Sequence, residues 1–303
     1  MKFFKTKPSY NAPRYEITPA MFEKKTNNKF PFEQISGRNR TISLYGICPS
    51  CLNPIQLIGM SAQSKINPYG KHTGKDIIGL PPWKQTKYEY CPFSEPNKHR
   101  QIDEDELLPD ITEEVIELYN MLKDNFDRAV YVVQKSTDIR CTPNFWERSL
   151  KQYLENHAYL YPWLMDSNLP YIFAMKGMTH CNIYGQRVKT DSDLYEKLKK
   201  HKYINFVASN PTNDEYQIIT SKGGYLNLEF RFTGHRQIAQ KDAVLKECVQ
   251  FCVDDLISGK TIYEKTIEFD ETYFTNIINS PTSEQYRNKK LLEIANDLMK
   301  PLV

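Results

Sequence analysis

Apolar positions between Ile111 and Val133 recur at three- and four-residue steps: Ile111, Val115, Leu118, Leu122, Phe126, Val130 and Val133. That spacing predicts one continuous amphipathic helix. Asp110, three residues before Glu113, reads as its cap in a capping box. Thr142-Pro143 opens a second helix, a cap followed by a proline in the first turn, carrying Phe145, Trp146, Leu150, Tyr153 and Leu154. The pair predicts a helical hairpin over 101–158 that backs the segment before it, with the acidic run Gln101–Asp110 as a solvated linker.

The pattern differs on either side of that hairpin. Thr41–Ile47 and Ile55–Met60 are short β-branched and apolar runs, read as two strands around a turn. Residues 1–40 show no sustained period, and Pro8, Pro13, Pro19 and Pro31 predict an extended arm. After Tyr159 the texture turns to strands and short helices. Leu169–Met175 reads as a buried strand, Asp191–Lys200 as a short helix capped by Asp191, and Tyr203–Ser209 as a strand. Glu215–Thr220, Gly223-Gly224 and Tyr225–Phe232 read as a β-hairpin. Lys241–Ile257 suits helix or strand, and Thr261–Phe269 reads as a strand. Asp270 starts a short helix, and Thr282 with Gln285 boxes a last one along Tyr286, Leu291, Ile294 and Leu298. The expected fold is α+β, with an N-terminal zinc-knuckle module (zinc-ribbon or treble-clef-like) and a helical hairpin. A domain with a mainly antiparallel sheet follows. Its divisions are an arm at 1–40, the metal module at 41–100, the hairpin at 101–158 and the α+β domain at 159–303.

The turn between the first two strands carries the chemistry. Cys48-Pro-Ser-Cys51 sits between them, followed by Leu52-Asn53-Pro54. Two thiolates at this spacing occupy adjacent corners of a tetrahedron, with turn N–H groups facing the sulfurs. A redox pair of the same spacing opens a helix in a βαβ unit, whereas Pro54 and the apolar run after it point to a strand. Cys91, in Tyr-Glu-Tyr-Cys-Pro-Phe, is the third ligand. The fourth is His72 or His99. His72, in the glycine-punctuated turn Pro68–Gly74, is chosen because Lys98 and Arg100 flank His99 and disfavour a dication there. Cys48, Cys51, His72 and Cys91 together fill four positions, the composition of a structural zinc site.

The string Cys48-Pro-Ser-Cys51, Pro68-Tyr-Gly-Lys-His72 and Tyr90-Cys-Pro-Phe93 resembles that of zinc-binding proteins carried by phages and integrative elements of AT-rich Gram-positive bacteria. Some zinc-containing proteins of such elements inhibit Cas9-type nucleases. The resemblance therefore implies an anti-CRISPR-like role with a CRISPR effector nuclease as partner, and it carries over no inhibitory residue.

Composition narrows the rest. Forty Lys and Arg against 37 Asp and Glu leave a net charge of +3, which excludes an acidic DNA mimic and demands no nucleic-acid partner. Twenty tyrosines and 15 phenylalanines supply core or contact area at little entropic cost. The start Met1-Lys-Phe-Phe-Lys-Thr-Lys lacks the apolar segment of a secretory signal, and no run is long enough to span a membrane. A reducing cytoplasm is expected, with free thiols.

Other candidate chemistry is weaker. Cys248 and Cys252, four apart, read as core. His180-Cys181 are adjacent and on a strand point to opposite faces, so they cannot serve each other as base and nucleophile. Asp191, Asp193, Asp214 and Glu215 with Gln217 make only a degenerate nuclease constellation. Arg187, Lys189, Lys197, Lys199, Lys200 and Lys202, interleaved with tyrosines, read as a phosphate-contacting patch, or as a solvated face because acids share the segment. The combined reading favours a binding protein over an enzyme, with another protein as partner. Direct DNA or RNA binding through 187–202 and metal-dependent nuclease activity are the alternatives.

Overall fold

The computed structural model describes residues 1–36, 41–61, 63–97, 102–209, 215–223, 226–239 and 245–302. His99, Asp214 and Gly224, which enter the sequence readings, lie outside these. The chain divides into two compact units, Met1–Gln101 and Ile102–Val303. The arm therefore belongs with the cysteine-bearing segments, and the helices of 113–155 belong with the C-terminal α+β part.

The first unit opens with two short antiparallel strands, β1 (Phe3–Phe4) and β2 (Tyr15–Glu16). Helix α1 (Pro19–Thr26) follows, its N-terminus capped by Thr18 Oγ1 accepting from the Met21 N–H. Four strands then form an antiparallel meander: β3 (Glu33–Ser36), β4 (Thr41–Ile47), β5 (Pro54–Ile58) and β6 (Tyr69–His72). Residues of 1–40 are thus not an extended arm throughout. Phe4 and Phe22 are buried with Ile17, Ile55 and Leu57, and Lys5 exchanges two backbone hydrogen bonds with Ile47. Apolar residues spaced among the prolines supply this packing, which the lack of a period hid. A short helix, α2 (Gln85–Glu89), leads to Cys91.

The second unit begins with α3 (Glu113–Asp124) and α4 (Phe126–Thr137) where one helix was expected. The break falls at Asn125 (φ −130°, ψ 27°), whose side chain donates to Met121 O and accepts from the Arg128 guanidinium. Thr112 caps α3 instead of Asp110. The strand β7 (Ile139–Arg140) precedes α5 (Pro143–Glu155), which starts as expected, with Thr142 as cap. Leu169–Met175 is not a strand but lies in α6 (Leu169–Gly177), started by Pro170 in its first turn. Almost every residue of α6 is buried, so its sequence carries no helical period. The acidic run is not wholly solvated either, because Glu104 Oε1 accepts the His235 N–H.

Next come β8 (Cys181–Asn182), β9 (Arg187–Lys189), α7 (Asp193–Leu198), β10 (Ile204–Ala208), β11 (Tyr216–Ser221), β12 (Leu228–Ala239), β13 (Leu245–Asp255) and β14 (Lys260–Glu268). Ser192 caps α7, one residue beyond Asp191. Two antiparallel sheets result, ordered β10-β11-β9-β7 and β14-β13-β12-β8. The expected hairpin of β11 with β12 does not form: β11 pairs with β10 and β9, and β12 pairs with β13 in the other sheet. Helices α8 (Tyr273–Asn279) and α9 (Lys289–Leu298) close the unit, α9 capped by Asn288 and not by Thr282. Phe173 on α6 meets Phe126 of α4 and Trp146 and Tyr153 of α5 at ring-centroid distances of 5.3, 6.3 and 5.6 Å. This aromatic cluster forms a core between the helices. The fold is α+β with antiparallel sheets.

Candidate metal centre

Cys48 and Cys51 sit in the turn joining β4 to β5, where β-branched residues on both sides hold an extended ladder from Leu44↔Leu57 to Ile47↔Pro54. The turn closes through Cys48 N–H to Asn53 O (2.8 Å) and Leu52 N–H to Cys48 O (3.1 Å). Leu52 takes a left-handed conformation (φ 58°) to make this possible. His72 arrives on β6, paired in register with Ile55. Cys91 arrives from the end of α2, its N–H bonded to Tyr88 O and its own carbonyl accepting from Ser94 N–H and Asn97 Nδ2.

The four ligand atoms all lie within 4.8 Å of one another. Cys48 Sγ is 3.8 Å from Cys91 Sγ, and His72 Nε2 is 3.2 Å from Cys51 Sγ and 3.6 Å from Cys91 Sγ. A tetrahedron built on metal–sulfur bonds of about 2.3 Å and metal–nitrogen bonds of about 2.0–2.1 Å has edges of about 3.8 Å (S–S) and about 3.5 Å (S–N). The three close spacings lie near these edges, so the group is compact enough to take up an ion, and none of these three is a disulfide bond. Three cysteines are almost fully buried and belong to the same cluster as Phe4, Phe22 and Ile55. His72 touches Tyr88 and Trp83 edge-on, with centroids 5.0 and 6.1 Å away.

Electrostatics point the same way. Burial drives the Cys51 and Cys91 thiols well above the ordinary thiol range. Cys48 is buried as deeply, but hydrogen bonds from Cys51 and Cys91 and the neighbouring His72 imidazole bring it well below that range. Three sulfurs confined in an apolar core call for a cation to balance the thiolates they can form. These four residues can hold a metal ion with every tetrahedral position filled by the protein.

Neighbouring groups fix the ligands, and the sequence reading did not single them out. Asn53 (1% exposed) and Asn97 (2% exposed) are buried amides; Asn53 holds the Lys84 backbone ahead of α2, and Asn97 Nδ2 donates to the Cys91 carbonyl.

The other candidates belong to the second unit. Arg187 and Lys189 lie on β9; Lys197, Lys199, Lys200 and Lys202 lie on or just beyond α7. Lys189 pairs with Asp191 (3.1 Å) and Lys199 with Glu196 (3.0 Å), and Lys202 lies over the Tyr203 ring. Gln217 Oε1 accepts from Tyr195 OH, while Glu215 and Asp193 are exposed. Among the described residues, the Cys48, Cys51, His72 and Cys91 group is the one set of three or more His, Cys, Asp or Glu side chains with converging ligand atoms. Cys248 and Cys252 are buried on β13, a strand, but on the face they share with Gln250 and Asp254, beside Arg236 and Arg231 of β12; the opposite face, with Val249, Phe251 and Val253, packs on Phe230 and Phe232. No helix of the described residues is long and apolar enough to cross a membrane. Compared with family models, with curated proteins and with solved structures, the chain matches none.

Proposed function

We propose that the protein is a zinc-stabilised, non-enzymatic macromolecule-binding protein of a phage or mobile element, acting on a host nucleic-acid-processing enzyme of the Cas9 type. The observation that carries the metal part is the convergence of four ligand atoms within 4.8 Å, three of them sulfurs in the core. Three thiolates and one imidazole favour zinc among common divalent ions, and a closed shell makes its role structural. The partner part rests on the resemblance of the ligand-bearing string. A surface feature of the first unit supports a protein partner: Ile35 and Ile42, opposite each other across β3 and β4, are 70% and 64% exposed. Exposed β-branched pairs of this kind suit burial against another protein.

The test uses the purified chain with its metal content measured, mixed with a Cas9-type effector at micromolar concentration. A complex that is lost with Ile35→Asp and Ile42→Asp, at unchanged zinc content, supports the proposal. Absence of any complex removes the partner.

A second reading is direct nucleic-acid binding. In its favour, Lys197, Lys200 and Lys265 line an open groove of about 510 Å³ beside α7 together with Tyr263. Asp193, Glu196 and Glu264 line the same groove and weaken its attraction for phosphate. Affinity falling steeply with salt, and abolished by Lys199→Glu with Lys200→Glu, is the mark of this reading.

A further inference from the structure

A second site lies within the second unit, where α5, the end of α6 and the segment 180–186 enclose a pocket of about 310 Å³. Its inner wall is Phe145, Ser149 and Gly177, all buried. Its sides carry three carboxamides: Gln152 Nε2 donates to Thr179 Oγ1, Asn182 donates to Leu226 O and accepts from the Tyr184 N–H, and Gln186 keeps an Oε1 that is open among the described residues. Its rim carries Arg148, His180 and Tyr184, all exposed.

Three features give this pocket a ligand chemistry. No Asp or Glu lines it, while Arg148 supplies a permanent cation at the mouth. His180 is paired with Glu229 (3.2 Å), whereas Arg148 has no ion-pair partner among the described residues. Gln186 is 7% exposed and its Oε1 has no hydrogen-bond partner among the described residues, an unmet acceptor of the kind that folded proteins seldom bury. Cys181 also lines the pocket, but burial pushes its thiol up to about 12, so it is neutral and no nucleophile.

We infer that this pocket binds a nucleoside 5′-monophosphate, with the base inside against Phe145 and the phosphate at the mouth on Arg148. A carboxamide with an open acceptor, here Gln186, can read the hydrogen-bonding edge of a base, and an aromatic rim residue such as Tyr184 offers a stacking face. A guanidinium takes phosphate oxygens in a two-pronged contact. The volume lies near the lower end of ligand pockets, about 300–1,000 Å³, which suits one nucleotide and not two. The pocket is built from the second unit alone, so the inference does not rest on the metal centre.

The experiment titrates the full chain calorimetrically with the four common ribonucleoside monophosphates, with one matching nucleoside and with inorganic phosphate. At least one monophosphate is expected to bind with a dissociation constant below about 1 mM. Arg148→Gln is expected to weaken it by about tenfold or more, the loss of a charge-assisted pair. Tyr184→Ala, at an exposed rim position, serves as a second variant that the fold tolerates, and it too should weaken binding. Failure of all four monophosphates to bind at about 1 mM overturns the inference. So does binding that both variants leave unchanged, or a nucleoside that binds as well as its monophosphate.

Discussion

The side chain of Asn53 and the backbone of Lys84 exchange two hydrogen bonds: Asn53 Nδ2 donates to Lys84 O (2.9 Å) and Lys84 N–H donates to Asn53 Oδ1 (2.8 Å). A carboxamide just after the Cys48–Cys51 turn therefore stands in for a neighbouring strand and pins Lys84, the N-cap position of α2, seven residues before Cys91. This contact couples the two halves of the metal centre without any ion.

Asn53→Ala should loosen that coupling. The loss removes two hydrogen bonds, each worth about 0.5–1.5 kcal/mol net, so a cost of about 1–3 kcal/mol is expected. Removing groups that orient ligands typically lowers metal affinity about 10–100-fold. Competition with a chromophoric chelator measures it, and an affinity within twofold of the parent protein's would show that the Asn53–Lys84 pairing is incidental.

Removing the ligands themselves is a larger step. Cys48→Ser with Cys51→Ser should take the metal from about one ion per chain, the stoichiometry of a four-ligand site, to none. The apparent binding energy of structural zinc, about 10–16 kcal/mol in small fingers, is comparable with a whole domain's stability. Amide hydrogen exchange should accordingly speed up through residues 41–97 in the variant. The helices α3 to α6, which have their own aromatic core around Phe173, should keep their protection. Equal loss of protection in both units would contradict their division at residue 101.

The sequence was most legible where chemistry and local geometry agree. Cys48 and Cys51 announce a turn between strands because their spacing, the β-branched flanks and Leu52-Asn53-Pro54 all point one way. His72 could be preferred to His99 on charge alone, and the fold brings its Nε2 to the sulfurs. Legibility failed where the answer is not local. The α6 segment is buried on all sides, so its apolar run fits strand or helix alike; only Asn168-Leu-Pro170 ahead of it marked a helix start. The break between α3 and α4 preserves the apolar stripe on both sides of Asn125, so periodicity alone could not reveal it. The placement of β11 and β12 in different sheets, β11 between β10 and β9 and β12 between β13 and β8, depends on partners distant in sequence that a local turn signal does not reveal.

Cys181 offers a chemical test of burial. Its pKa near 12 means that at pH 8 the thiolate fraction is lower than that of a free cysteine, pKa about 8.5, by about three orders of magnitude. Alkylation by iodoacetamide should be slowed accordingly, followed by mass spectrometry of the peptide containing Cys181. The linked stability has a definite sign. A pKa raised in the folded state means the folded chain holds its proton longer, so this contribution is complete below about pH 8.5 and is lost as pH rises toward about 12. Rapid alkylation at pH 8 in the folded protein would place the thiol in water instead.

Gly177 sets how closely α6 approaches α5. A Cβ built on it would lie 2.6 Å from the Ser149 backbone oxygen and 3.4 Å from Phe173 Cε2. Two effects of Gly177→Ala oppose each other. Alanine is favoured over glycine inside a helix by about 1 kcal/mol, less here because Gly177 ends α6. Overpacking a well-filled contact costs about 1–3 kcal/mol, and the atom struck is backbone, which cannot rotate away. Net destabilisation is therefore expected, seen as a lower urea midpoint at unchanged slope. Adding Ser149→Gly should not restore it, because trimming that side chain leaves the carbonyl in place. An unchanged or higher midpoint for Gly177→Ala would mean that the two helices separate more easily than their aromatic core implies.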